Sequence, residues 1–464
     1  MRYLLIAVVL LTCITPCLAL DQALMQQAEE ALLKTTTYLT TKVAVGGGYA
    51  GTYLPDLSDQ WGEGSVTRSQ NWVQPPGSPS TGFAFMRAWE ATGNPLHLEA
   101  AKQVANSLVY GQLECGGWPY NIDHSPEGAK TWYYRHNRDS ADPALKRGKN
   151  QATFDDNVTQ HCTRLLMAVD KALEQKEAAI HEAALAALEF MLKAQHETGA
   201  WPQRYPPAGT GYGDFFTFND NTMADCADVM MIAYRTYGDE RYAAAVRKCG
   251  DLIIRVQLPE PQATWAQQYD SDLKPAWARR FEPPAACGGE SIGVMRLLIN
   301  IALFTDDDKY LKPLPAAFAW YERSKLPNGK WARFYELKTN RPLYFTRDTY
   351  WLTYSDADMP THYSFQSNWN PASVQRTYGE IMAKGLAQYK QEQAPKALTE
   401  AQRVQAAEAR EAKVREVLAA QDEQGRWVTT SGGDIPKGPK RLAMEVFQAN
   451  MKVLSEYLAL AKAR

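Results

Sequence analysis

The stretch HEAALAALEFMLKAQHETGAWPQ, His181–Gln203, decides the fold. Its apolar residues Ala183, Leu185, Leu188, Phe190, Met191 and Leu192 fall at helical spacing. The helix they predict ends in a turn at Gly199, followed at once by Trp201-Pro202. The same layout recurs along the chain. Helical patterns run into YGQLECGGWPY at 110–120, IIRVQLPEPQATW at 253–265, AFAWYERSKLPNGKWARF at 317–334 and KVREVLAAQDEQGRWV at 413–428. A weaker copy opens the chain and ends in VGGGY at 45–49. The turn aromatics are therefore Tyr49, Trp118, Trp201, Trp265, Trp331 and Trp427, with gaps of 69, 83, 64, 66 and 96 residues.

Each gap has room for a second helix running back, such as Met223–Tyr237 or Gly293–Phe304. A helical hairpin cannot bury its apolar face alone, so successive hairpins stack. About six hairpins with one kind of turn on one side predict an all-α fold, an α/α toroid with a cleft at the turn end. The irregular spacing argues against an open solenoid and for loops of different length on one face, where function usually sits.

Bulk properties narrow the class. Residues 3–20 form a short apolar run after Met1-Arg2, with a small-residue exit at Ala19, as in a secretory signal peptide. The expected organisation is a signal peptide at 1–19, a catalytic toroid at 20–390, and a C-terminal helical layer of the same toroid at 391–464. A secreted or periplasmic protein follows, monomeric and with no membrane segment after cleavage. Lys+Arg number 50 against Asp+Glu 52, a net charge of -2. That balance lacks the basic footprint of a nucleic-acid partner. Outside the leader stand Cys115, Cys162, Cys226, Cys249 and Cys287, an odd, scattered set that reads as neither a disulfide framework nor a zinc site. Trp 13 and Tyr 24 make the chain rich in aromatics, most of them expected in the core and some as sugar-stacking platforms.

Two segments repeat a polar motif, TFDDNVT at 153–159 and TFNDNT at 217–222, each after a Trp turn and before a helix. Asp and Asn are favoured at helix N-caps, but capping needs one such residue, not three in a row. The other reading is a hard-cation site, since calcium takes six to eight oxygen ligands. Asp155, Asp156 and Asp220, with Asn157 or Asn219, would supply part of that set from neighbouring hairpins. Two further segments carry arginine. PAWARRFEPPAACGGES at 275–291 holds Arg279, Arg280 and Glu282, and RFYELKTNRPLYFTRD at 333–348 holds Arg333, Arg341 and Arg347. A guanidinium fork matches a carboxylate, either of a structural partner or of an anionic sugar.

Taken together, GGWP at 116–119, TFDDNVT, GAWPQRYP at 199–206, TFNDN, ARRFEPPAACGGES at 278–291 and FYELKTNRP with TRD at 334–348 resemble the pectic acid lyases, polysaccharide lyase family ten. The resemblance implies calcium-dependent β-elimination on polygalacturonate, giving 4,5-unsaturated oligogalacturonides. It places Asp155 and Asp220 at the calcium, with Asp156 and Asn219 beside them on the substrate. It makes Arg279 the proton-abstracting group, oriented by Glu282, with Lys274 or Arg280 as alternatives. Arg280, Arg333, Arg341 and Arg347 are expected on galacturonate carboxylates. Arginine is ordinarily always protonated, so such a base needs a special site. The sequence departs from the family pattern at Asp155-Asp156-Asn157, at Gln262–Trp265 and at Cys287-Gly288-Gly289. Two competing readings are a hydrolase of unsaturated uronyl sugars, which needs a carboxylic acid and no calcium, and a non-catalytic oligogalacturonide-binding protein.

Overall fold

The computed structural model describes residues 21–462 apart from 210, 434–437 and 439, so the leader expected at 1–19 lies outside the described residues. Fourteen α-helices are described: α1 (Gln22–Tyr38), α2 (Ser78–Thr92), α3 (Pro95–Gly111), α4 (Pro126–Thr131), α5 (Val158–Ala172), α6 (Ala178–Ala194), α7 (Thr222–Tyr237), α8 (Glu240–Arg255), α9 (Glu290–Thr305), α10 (Leu314–Arg323), α11 (Ala372–Lys384), α12 (Leu386–Gln393), α13 (Glu400–Ala419) and α14 (Met444–Lys462). They form two layers. One row packs α14, α2, α5, α7, α9 and α11 side by side, and the other packs α13, α1, α3, α6 and α8. The hairpins α2–α3, α5–α6, α7–α8 and α13–α14 each contribute one helix to each row, which is the α/α toroid. Helices α5, α7 and α9 are buried around most of their circumference, as befits the inner row. The last hairpin, α13–α14, packs on α1 and α2, so the first and last described helices meet.

The repeating turn has a physical cause. Each indole Nε1–H donates to a carbonyl of the outer helix that precedes it: Trp118 to Leu108, Trp201 to Met191, Trp265 to Ile253 and Trp331 to Tyr321 at 2.8 Å, and Trp427 to Val417 at 2.9 Å. The bond satisfies a carbonyl near the end of the helix, where intrahelical partners run out. All five indoles are buried, so these rings are core and not sugar platforms. Gly116, Gly199, Gly329 and Gly425 turn the chain at positive φ just before the ring. The Trp265 turn lacks that glycine and reaches twelve residues back instead of ten, accommodating the Gln262–Trp265 departure with a longer loop.

Short strands, which the sequence reading did not anticipate, line the turn end. Most are two or three residues long, too short to show any alternation. Residue 152–153 pairs with 204–205, and 216–217 with 268–269, tying successive hairpins together across the turn face. The charge-rich stretch 391–415 divides between the end of α12 and most of α13, a largely solvated helix with a capping box at Thr399. The five cysteines are free thiols, four of them buried. No described helix is long and apolar enough to cross a membrane.

Candidate active site

The loops that enter α5 and α7 are built alike, because the same residues make the same bonds. The hydroxyls of Thr153 and Thr217 accept the amides of Asp155 and Asn219, both at 3.0 Å. The amides of Phe154 and Phe218 donate to the carbonyls of Gln203 and Gln267 at 2.8 and 2.9 Å. The chain then takes two left-handed residues before each helix, Asp156 (φ 49°) and Asn157 (φ 59°), then Asp220 (φ 47°) and Asn221 (φ 57°). Asp and Asn tolerate that conformation best among residues with a Cβ. Neither Asn157 nor Asn221 caps its helix with a side-chain bond, so capping does not account for the motif.

This geometry brings Asp155, Asp156 and Asp220 together, with a carboxylate oxygen of each within 4.8 Å of the others. Asp155 is pushed up to about 6, first by burial and then by Asp156 and Asp220, against the pull of Arg204 and Arg279. Asp220 is likewise raised to about 6 by burial and then Asp156, with Arg279 opposing. Three converging carboxylates with little local compensation are a poor arrangement for a bare protein and a good one for a hard divalent cation. Asn219 adds an amide bonded to Asp220. The residues present therefore fit calcium. Tyr120 donates its hydroxyl to Asp156 at 2.9 Å, and the Gln203 amide reaches Asp155 at 3.4 Å. Behind them Arg164, on α5, ties the first loop to helix α7. It donates to Asn157 at 2.8 Å, to Asp225 at 2.8 Å and to Asp228 at 2.9 Å.

The opposite wall is an ion pair. Arg279 holds Glu282 bidentately, Nε to Oε2 at 2.8 Å and a terminal nitrogen to Oε1 at 2.6 Å, while its backbone amide adds a third bond at 2.9 Å. Glu282 is buried and also accepts from Gln267 at 2.7 Å and Tyr363 at 2.9 Å. Burial alone would raise its proton affinity, but the Arg279 bonds hold Glu282 below the ordinary value. Glu282 in turn raises Arg279, holding the guanidinium in its charged form. A polar cavity of about 280 Å³ separates the two walls.

Of the ten residues singled out from the sequence, Asp155, Asp156, Asn219, Asp220, Arg279 and Glu282 line this cavity. Arg333 stands one residue behind it. It pairs with Glu290, donates to the Tyr363 hydroxyl at 3.1 Å and lies 4.3 Å from that ring's centre. Arg280, Arg341 and Arg347 do not line the cavity. Arg280 donates to the Thr349 carbonyl, Arg341 lies over Tyr354, and Arg347 contacts Asp358 and the Met359 carbonyl. Lys274, an alternative base, is exposed and bonded to Asp272.

Sequence reasoning missed Tyr120, Gln203 and Gln267. Each sits two residues after a turn tryptophan and reaches an acidic residue of the cavity, while Arg333, at the same position in its own turn, reaches Glu290 behind it. The signal was present: in the Trp118, Trp201 and Trp265 turns the second residue beyond the tryptophan reaches the cavity.

Residues 112–330 match the model of the pectic acid lyase family. The resemblance carried by the motifs is thus shown over the segment that holds the whole cavity except Glu63 and Tyr363. Arg333, Arg341 and Arg347 lie just beyond the matched span. Among solved structures, the family 10 polysaccharide lyase of Cellvibrio cellulosa is 24% identical, with a TM-score of 0.47 over 66% of this chain and 98% of that one. A mutant of that enzyme in complex with trigalacturonic acid gives the same values. Cellobiose 2-epimerase from Bacillus thermoamylovorans is 12% identical, with a TM-score of 0.45 over 94% of this chain and 99% of that one. No curated protein matches.

Proposed function

We propose that this protein is a pectate lyase, cleaving polygalacturonate by β-elimination with calcium held by Asp155, Asp156 and Asp220. The observation that carries the reading is the placement of three carboxylates opposite the Arg279–Glu282 pair across one small polar cavity. The family match supports the reaction class. In this elimination the C5 proton leaves, its electrons form the C4–C5 double bond, and the C4–O bond breaks to release the next sugar. C5 is a weak acid while the neighbouring carboxylate carries its full charge, so positive charge must be fixed beside it. Calcium bound at the carboxylates supplies such charge.

The chain's own residues do the rest. Glu282, its two oxygens occupied by Arg279, Gln267 and Tyr363, is positioned to orient and not to take a proton. Arg279 is the group it aims, partly exposed towards the cavity. Accepting the C5 proton demands a neutral guanidinium, whereas the Glu282 pair favours the charged one. The pair must therefore loosen before proton transfer, and the rate rises with pH. The same raised proton affinity of Asp155 and Asp220 would suit the acid of an uronyl hydrolase, which is the second reading.

Ultraviolet absorbance of the conjugated product, followed with polygalacturonate and calcium, tests the proposal. Absorbance is expected to climb, to stop with chelator, and to fall about 100-fold or more in rate for Arg279→Ala. Turnover that survives chelation without a conjugated product supports the hydrolase. Binding by calorimetry with no turnover at all supports the binding protein.

A further inference from the structure

Beside the carboxylate cavity lies a second, larger groove of about 600 Å³. The two share a boundary. Tyr120 lines the groove and bonds Asp156; Thr153 lines it and bonds the amide of Asp155. Among the groove's lining residues, Trp132 and Lys149 are locked side by side by backbone bonds, Tyr133 N–H to the Lys149 carbonyl at 3.0 Å and Lys149 N–H to the Thr131 carbonyl at 2.8 Å. That bridge sets the Lys149 Nζ 5.8 Å from the indole centre. Arg204, on the wall shared with Asp155, is exposed, as is Lys149, and among the described residues neither is paired with a carboxylate.

Trp132 differs from the turn tryptophans. They are buried and donate Nε1 to a helix carbonyl; Trp132 is half-buried and makes no such bond among the described residues. An indole beside the Lys149 cation, in a groove also lined by Arg204, is complementary to a sugar ring that bears a carboxylate, its C–H face on the ring and its charge on the nitrogen. We propose that this groove is a distal subsite for one acidic sugar of a polymer whose reacting bond lies at the carboxylate cavity, with Trp132 as the platform and Lys149 as the carboxylate contact. The identity of the polymer rests on the lyase reading above.

Calorimetry with oligogalacturonates of increasing length tests this on the full chain in calcium, in an Arg279→Ala parent that prevents turnover. Affinity is expected to step up once the oligomer is long enough to reach the groove. Lys149→Gln and Trp132→Ala should each lower the ratio of long- to short-oligomer affinity about tenfold, the weight of one good contact. Trp132→Phe keeps a ring, guards against misfolding of the loop, and should retain most of the ratio. A parental ratio in Lys149→Gln and Trp132→Phe, with Trp132→Ala folded and also parental, overturns the subsite while leaving the lyase reading standing. Failure of every oligomer to bind the folded parent overturns both.

Discussion

Asp155 shows how a single residue carries the cost of the site. Its proton affinity is raised from 3.8 to about 6 in the fold, so the folded chain holds that proton more tightly than the unfolded chain does. The resulting stability is full below about pH 4 and is lost as pH rises through about 6. Without calcium, Asp155→Asn should therefore stabilise the fold at pH 7 by on the order of 1 kcal/mol once solvent screening is allowed for, seen as a higher Tm, and the gain should vanish near pH 4. Thermal unfolding in chelator measures it; a variant no more stable than the parent at pH 7 contradicts the account. Calcium should reverse the order, stabilising the parent and barely affecting the variant. The two left-handed residues of each motif belong to the same scale. The Asp/Asn run was legible as unusual, but its backbone conformation, and with it the convergence on Asp220, was not.

At the scale of the element, the turn after each outer helix is the unit of construction. Gly199 has φ 104°, and a Cβ there would meet the Lys248 carbonyl oxygen at 2.2 Å. Gly199→Ala combines backbone strain with a clash against main chain and should cost on the order of 2 kcal/mol or more, read as a lowered denaturation midpoint. Gly93 also has a positive φ, 71°, but open space around it, so Gly93→Ala should cost clearly less. Equal losses at the two positions would show that the close approach of hairpins, as opposed to local strain, is unimportant. The spacing of tryptophan and glycine made these turns readable from sequence alone, because both residues serve local needs: a carbonyl to satisfy and a φ that excludes side chains. The pre-helix loops follow the same repeat with one exception. The Gly288 amide donates to the Arg333 carbonyl as those of Phe154 and Phe218 donate to their glutamines, yet Ser291 lies only three positions after Gly288 where Thr159 lies five after Phe154. The fourth hairpin thus lacks the left-handed pair and offers Glu290 to Arg333 instead of a fourth carboxylate to the cation site.

Over the whole molecule, the C-terminal hairpin α13–α14 bears on stability more than its charge-rich sequence suggests. Phe447, Met451, Leu454 and Leu458 of α14 are fully buried, and the helix packs against α1 and α2. Ending the chain after Gln393 would expose both partners' apolar faces and should abolish cooperative thermal unfolding, as followed by circular dichroism. A truncated chain with the parental Tm would show instead that 391–464 is an independent layer. Arg164 works at the same scale, since it holds α5 to α7 and so fixes the distance between motifs 64 residues apart in sequence.

The helical repeat, the six turns, the acidic motifs and the arginine segments were determined by sequence, because each answers to spacing and local chemistry within a few residues. Which carboxylates meet, that Arg279 spends its charge on Glu282, and that Arg341 and Arg347 stand away from the cavity were decided only by tertiary structure. Those facts depend on how neighbouring hairpins pack side by side and on which partner reaches a guanidinium first, and neither is written in the spacing of residues along the chain.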